Sequence, residues 1–138
     1  MGLLTTLPGA LDADLRRGAD LSMFEYTVLA SLSEASERTM QMSALATRCN
    51  ATLSRLSHVV SRLERRGWIR REVCGNDARA TNAVLTAAGS EKIADAAPGH
   101  VRSVRDLVVG VLTPRELQQL GGIARKIEQG LAKRATAA

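Results

Sequence analysis

At 138 residues the chain is long enough for one domain with a real hydrophobic core and short for two. Aromatic residues make up 2% of it, so the core must be aliphatic, which favours closely packed helices over a sheet protein. Net charge is +5; no apolar run of about 18 residues could span a membrane, no basic patch and apolar block mark a secretory signal, and Cys49 and Cys74 make no disulfide framework, so a reducing, cytoplasmic setting is expected.

Leu4, Leu7, Leu11 and Leu15 recur three or four apart and predict a first helix. Pro8 fits the first turn of a helix but not its interior, so the well-formed part is expected to start near Pro8. Gly18 to Leu21 punctuates the chain. Ser22-Met-Phe-Glu25 then has the form of a capping box, in which the hydroxyl caps an orphan amide and the carboxylate reaches back. The helix it opens carries Phe24, Val28, Leu29 and Leu32 and ends near Glu34 to Ser36. Thr39-Met-Gln-Met42 is too short for a helix and reads as a small strand. Ser43 is expected to cap a short helix over Ala44 to Cys49, followed by a tight turn at Asn50-Ala-Thr52.

From Leu53 to Arg66 the pattern is that of an amphipathic helix. Leu53, Leu56, Val59, Val60 and Leu63 form its apolar stripe, and Ser54, Arg55, Ser57, His58, Ser61, Arg62 and Arg65 lie off it. Gly67 stops this helix. Trp68 to Val73 alternates with the strand period of two, Cys74 to Ala78 has turn chemistry, and Thr81 to Thr86 returns as a second strand. Trp68 is expected to anchor this hairpin to the core. Helix, short strand, short helix, three-residue turn, longer helix and hairpin together make a winged helix-turn-helix.

Thr86 is expected to cap the next helix, through Ile93 to Leu112, with a kink or local break at Pro98-Gly99. Thr113-Pro-Arg-Glu116 opens the last helix as a capping box with proline at the first helical position. Val101, Val104, Val108 and Val111, then Leu117, Leu120, Ala124, Ile127 and Leu131, keep spacings of three and four. Two such helices carry more apolar surface than a small winged lobe can cover, and a second copy of the chain is the expected partner.

The basic charge is concentrated. Residues Arg48 to Arg79 hold eight arginines and no lysine against Glu64, Glu72 and Asp77, whereas residues 1–47 hold three arginines against six acids. Such a patch on a groove-sized helix is an electrostatic footprint for nucleic acid. Small hydroxyls permit close approach, and guanidinium groups match phosphate and guanine edges. Ser54, Arg55, Ser57, His58 and Arg62 are the candidate direct contacts, with Arg55 in the first helical turn as the base reader and Arg62 and Arg65 better placed for phosphate. Ser43 and Arg48 are candidate phosphate donors, or equally a cap and a solvated side chain. Arg70 and Arg71 alternate along a strand, so at most one of them points at DNA.

No other chemistry competes on the sequence. His58 and His100 lack metal-ligand spacing, and neither metal nor cofactor is expected. No serine sits in a Gly-x-Ser-x-Gly turn, so no enzyme is expected. Two alternatives stay open: a thiol-based redox-sensing regulator, since a thiol near arginines has a lowered pKa, and a winged-helix protein-interaction module without sequence-specific DNA binding.

The wing residues Asp77-Ala-Arg79, followed by Val84-Leu85-Thr86 and Gly89, together with Glu25-Tyr-Thr-Val-Leu29, Ser43-Ala-Leu-Ala46, Ser54-Arg-Leu-Ser57 and Arg62-Leu-Glu-Arg-Arg-Gly-Trp-Ile69, resemble the multiple-antibiotic-resistance (MarR) regulators of bacteria over residues 8–134. The resemblance implies one mainly α domain over residues 1–138 with a small β-wing. Residues 22–86 would form the winged helix-turn-helix DNA-binding lobe, and residues 3–18 and 87–134 the dimerisation helices. It implies a homodimeric repressor that binds double-stranded DNA at a pseudo-palindromic operator, with Arg79 entering the minor groove and Asp77 bracing the wing. A small-molecule effector would sit in a crevice lined by Phe24, Tyr26, Val28, Met40, Met42 and Trp68. One departure is Ala78, where the family often has a basic residue.

Overall fold

The computed structural model describes residues 2–75 and 77–136, without the side chains of Asp77, Ala78, Ala135 and Thr136. The described residues form two compact units, divided between Val101 and Arg102.

The first unit opens with α1 (Gly2–Ala19), which runs through Pro8 rather than starting there. The carbonyl that Pro8 leaves without an amide belongs to Leu4, an exposed residue whose backbone water can satisfy. The helix α2 (Met23–Ser33) begins at the expected capping box: the Ser22 hydroxyl accepts from the Glu25 amide at 3.1 Å, and Glu25 Oε2 accepts from the Ser22 amide at 2.9 Å. After a 3-10 turn (Ser36–Arg38) come β1 (Thr39–Gln41) and α3 (Met42–Arg48). Ser43 does not cap α3; the helix starts two residues earlier than expected, at Met42, which turns into the core, and the Ser43 hydroxyl donates to Gln41 Oε1.

A residue in the left-handed region makes the sharp exit from α3. Asn50 has φ of 49°, and the amides of Asn50 and Ala51 reach back to the carbonyls of Thr47 and Ala46. Thr52 then caps α4 (Leu53–Arg65), accepting from the Arg55 amide at 3.2 Å. The end of α4 follows the same logic with glycine: Gly67 has φ of 76°, its amide donates to Glu64, and the Trp68 amide donates to Leu63. Leu56, Val59, Val60 and Leu63 of α4 are buried with Leu21, Leu29, Leu32, Leu45 and Ile69 in one aliphatic core. Leu53 is the exception to the expected stripe. It is 54% exposed, because the first residue of the helix lies at the edge of that face and beyond the depth of the core.

The wing consists of β2 (Ile69–Cys74) and β3 (Asp77–Leu85), antiparallel, with β1 on the far side of β3. β3 starts at Asp77, four residues earlier than expected, so the turn is shorter than Cys74 to Ala78; Asn76 in that turn lies outside the described residues. Arg71 pairs with Ala83 and Val73 with Thr81, and the register then shifts between Val73 and Cys74. Thr86 caps α5 (Ala87–Leu107), its hydroxyl accepting from the Gly89 amide at 3.0 Å and donating to the Gly67 carbonyl at 2.6 Å. α5 is continuous through Pro98 and Gly99, so the helix is not broken there. The carbonyl freed by Pro98 is that of Ala94, again an exposed residue.

In the second unit α5 ends at Leu107, short of Leu112, and a 3-10 turn (Val109–Val111) leads to α6 (Pro114–Thr136). The Thr113 and Glu116 capping box forms as expected. Leu117, Leu120, Ile123, Ile127 and Leu131 of α6 are all exposed in the protomer. Among the described residues no helix is long and apolar enough to cross a membrane.

Candidate nucleic-acid interface

The 3.6-residue repeat divides α4 into three outward sectors around its buried stripe. Directly opposite the stripe lie Ser54, His58, Ser61 and Arg65; Ser54, His58 and Arg65 are exposed, and Ser61 is half-buried. Arg55 and Arg62 fall to the side of α2. Leu53, Ser57 and Glu64 fall to the side of the wing. The predicted contacts therefore do not share one line.

On the α2 side the arginines have partners. The Arg55 guanidinium stacks over the Phe24 ring, 4.2 Å from its centroid. Arg62 Nε donates to Glu25 Oε1 at 3.3 Å, and Glu25 is 8% exposed. At the end of the helix Arg66 lies over Trp68, 4.0 Å from the ring centroid, and donates to the Asp20 carboxylate and carbonyl at 2.6 and 3.0 Å. Arg48, on α3, pairs with Glu34.

On the wing side the strand period of two puts Arg71 on the face of the buried Ile69, so its guanidinium reaches α4. It donates to Glu64, Ser57 and Ser61. Ser57, a predicted DNA contact, thus accepts from the wing. Arg70 points the other way and pairs with Glu72. Arg79 is exposed on β3 and borders a cavity of about 370 Å³ between Gln41–Ser43, Leu53, Ser57, Arg71 and Ala80–Thr81. The backbone of Asp77 pairs with Cys74, and its side chain lies outside the described residues.

Of the expected effector residues, Met42 alone borders that cavity. Val28 is buried in the core. Phe24 lies under Arg55. The Tyr26 ring packs against His100 with centroids 4.5 Å apart, burial raising the tyrosine pKa and lowering that of the histidine. Met40 pairs with Ala83 in the sheet, and Trp68 is flanked by Arg66 and Lys92 while packing against the core.

The cysteines are separate. Cys49 is buried beside Ser31, and burial pushes its thiol up, outweighing the Ser31 hydroxyl and nearby Arg48; that is the opposite of an activated thiolate. Cys74 accepts from the Asn82 amide in the wing. Among the described residues no cluster of three or more His, Cys, Asp or Glu could hold a metal ion.

Ser61, Arg65 and Arg71 also take part in this geometry. The first two follow from the helical repeat once the stripe is taken as Leu56 to Leu63 without Leu53. The third follows from counting two residues on from Ile69.

Comparison with known proteins gives this geometry a context. The sequence profile of the MarR family matches residues 21–81. The crystal structure of Sco3205, a MarR family transcriptional regulator from Streptomyces coelicolor in complex with DNA, is similar at 43% identity with a TM-score of 0.89, over 93% of this chain and 80% of that one. AbsC, a MarR family transcriptional regulator from the same organism, is 37% identical with a TM-score of 0.89, over 95% of this chain and 88% of that one. The S. aureus MepR–DNA complex shares the fold at 20% identity, with a TM-score of 0.82 over 93% and 92% of the two chains. Profile, identity and fold agree, and the chain belongs to the MarR family of transcriptional regulators.

Proposed function

We propose that this regulator is a homodimeric repressor that reads a pseudo-palindromic double-stranded operator with two copies of α4 and two wings. The observation that carries the reading is the exposed row of Ser54, His58 and Arg65 on α4, opposite its buried stripe, in a chain 43% identical to a regulator crystallised with DNA. In the major groove that row offers hydroxyl, imidazole and guanidinium donors to base edges and phosphates. Arg55, at the start of the helix, adds a base reader, and Arg79 enters the narrow minor groove, where negative potential is concentrated. Ser43 and Arg48 lie toward flanking phosphates. Two-fold symmetry calls for half-sites about 34–36 Å apart. A small-molecule effector that lowers operator affinity completes the proposal, in line with the family resemblance.

The test is selection of duplexes from a random library by the purified protein, followed by fluorescence anisotropy at fixed salt. An inverted repeat with half-sites one helical turn apart is expected. Arg79→Ala should cost about 1–3 kcal/mol of binding, most on A·T-rich flanks. Binding indifferent to sequence at every salt concentration would leave a winged-helix interaction module in its place.

A further inference from the structure

Glu64 is an acid on α4, the helix that the DNA-binding reading assigns to a polyanion. Its two oxygens are both taken by Arg71 of the wing: Oε2 accepts from Nη1 at 2.9 Å, and Oε1 accepts from the Arg71 backbone amide at 3.2 Å. The other arm of the same guanidinium, Nη2, donates to the Ser57 carbonyl at 2.9 Å, to the Ser61 hydroxyl at 3.0 Å and to the Ser57 hydroxyl at 3.3 Å. One side chain, 27% exposed, therefore spans two turns of α4. Arg71 pairs with Ala83 in the regular part of the hairpin, two residues before the register shift between Val73 and Cys74, beyond which the hairpin runs out to its tip. Arg79 lies on that outer part of β3, four residues before Ala83, the partner of Arg71.

We infer that Arg71 and Glu64 are positioning residues that set the angle of the wing against the recognition helix, so that Arg79 and the outward row of α4 meet one duplex together. The inference rests on the DNA-binding reading above. A planar guanidinium held by charge-assisted bonds on two sides fixes direction as well as distance, which a lysine or a single bond would not. Aligning two contact elements before binding spares the ordering cost of bringing them into register on the DNA. Electrostatics alone gives Glu64 no role on this face, because a carboxylate there repels phosphate.

That repulsion makes the test decisive in sign. Glu64→Gln removes a negative charge at constant volume. If Arg71 is only a phosphate contact and Glu64 a bystander, the variant binds DNA more tightly. If the pair positions the wing, Glu64→Gln and Arg71→Gln each weaken binding several-fold, and the penalty of Arg79→Ala shrinks in either background, because Arg79 is already displaced. The probe is the duplex that the parent protein selects from a random library, measured by fluorescence anisotropy at fixed salt, with melting temperatures to confirm folding. Should Arg71→Gln fail to fold, Arg71→Lys keeps the charge without the fork and should show the same loss and the same non-additivity. Tighter or unchanged binding by Glu64→Gln, or an additive cycle with Arg79→Ala, overturns the inference and leaves the DNA-binding reading standing. Absence of any sequence-selective binding by the parent protein overturns both.

Discussion

Arg55 and Arg62 occupy the same side of α4, seven residues apart, and differ in what they would give up to reach DNA. The partner of Arg55 is the face of Phe24, a contact worth about 0.5–1 kcal/mol at an exposed site, which a guanine edge or a phosphate replaces at a profit. The partner of Arg62 is the carboxylate of Glu25, 8% exposed and also holding the Ser22 amide at the start of α2. Withdrawing the arginine leaves a nearly buried anion without its cation, which costs about 1–3 kcal/mol even with half of the arginine in solvent. Arg62→Ala is therefore expected to lower the melting temperature and leave the salt dependence of DNA binding unchanged. A fall of about one in the slope of log affinity against log salt would make Arg62 a phosphate contact instead. Arg55→Ala should leave stability nearly unchanged and relax base preference at one symmetric pair of operator positions, read by repeating the library selection. A uniform loss across sequences would assign Arg55 to phosphate.

Between elements, the junctions are made by backbone approach as much as by side chains. The first turn of α5 lies so close to the turn after α4 that a Cβ on Gly89 would stand 2.1 Å from the Trp68 carbonyl oxygen and 2.7 Å from Leu85 Cδ1. Neither the backbone nor the buried leucine can step aside cheaply, and Gly89→Ala should destabilise the protein by about 1–3 kcal/mol, seen as a lowered melting temperature. A neutral Gly89→Ala would mean that α5 is free to shift. At the other junction Asp12 of α1 accepts from the Met23 amide at 2.7 Å and from Arg16 at 2.6 Å, which hold its carboxyl below the usual 3.8. A depressed carboxyl adds stability that is present above the unfolded value and lost as pH falls through the folded one. The melting temperatures of parent and Asp12→Asn should thus differ above about pH 4 and converge below it; a gap independent of pH would count against the charge of Asp12 as the cause. Caps such as Ser22 and Glu25, Thr113 and Glu116, and Gly67 were legible because donor and acceptor are three or four residues apart, and periodicity sufficed for the helix-turn-helix. Arg62 with Glu25, 37 residues apart, was not, because charge alone does not say which arginine a distant carboxylate will claim. Pro8 and Pro98 show a related limit: each lies inside a continuous helix, and the carbonyl each frees belongs to an exposed residue that water can satisfy, which the sequence alone does not say.

At the scale of the whole molecule, the proposed reading gives one lobe half of a two-fold operator and requires a second copy of the chain for the other half. The apolar side chains of α6 bear on how two copies would meet: Leu120 is 42% and Ile127 59% exposed in the protomer, two turns apart on one helical face, in a helix with no buried residue among those described. Leaving that stripe in water forgoes about 25 cal/mol for each Å² of apolar surface, which a second copy would recover. Because these side chains are exposed in the protomer, Leu120→Glu with Ile127→Glu should not disturb the winged lobe, and its circular dichroism and melting should stay close to the parent's. Sedimentation should show a dimer for the parent and a monomer for the double variant. Operator affinity should then fall far more than for any single contact residue, because each half-site binds separately and the effective concentration that links them is gone. The loss should be large on the full inverted repeat and small on an isolated half-site. Equal losses on both duplexes would place the damage in the DNA-reading lobe, and a double variant that still sediments as a dimer would move the subunit interface off this face of α6.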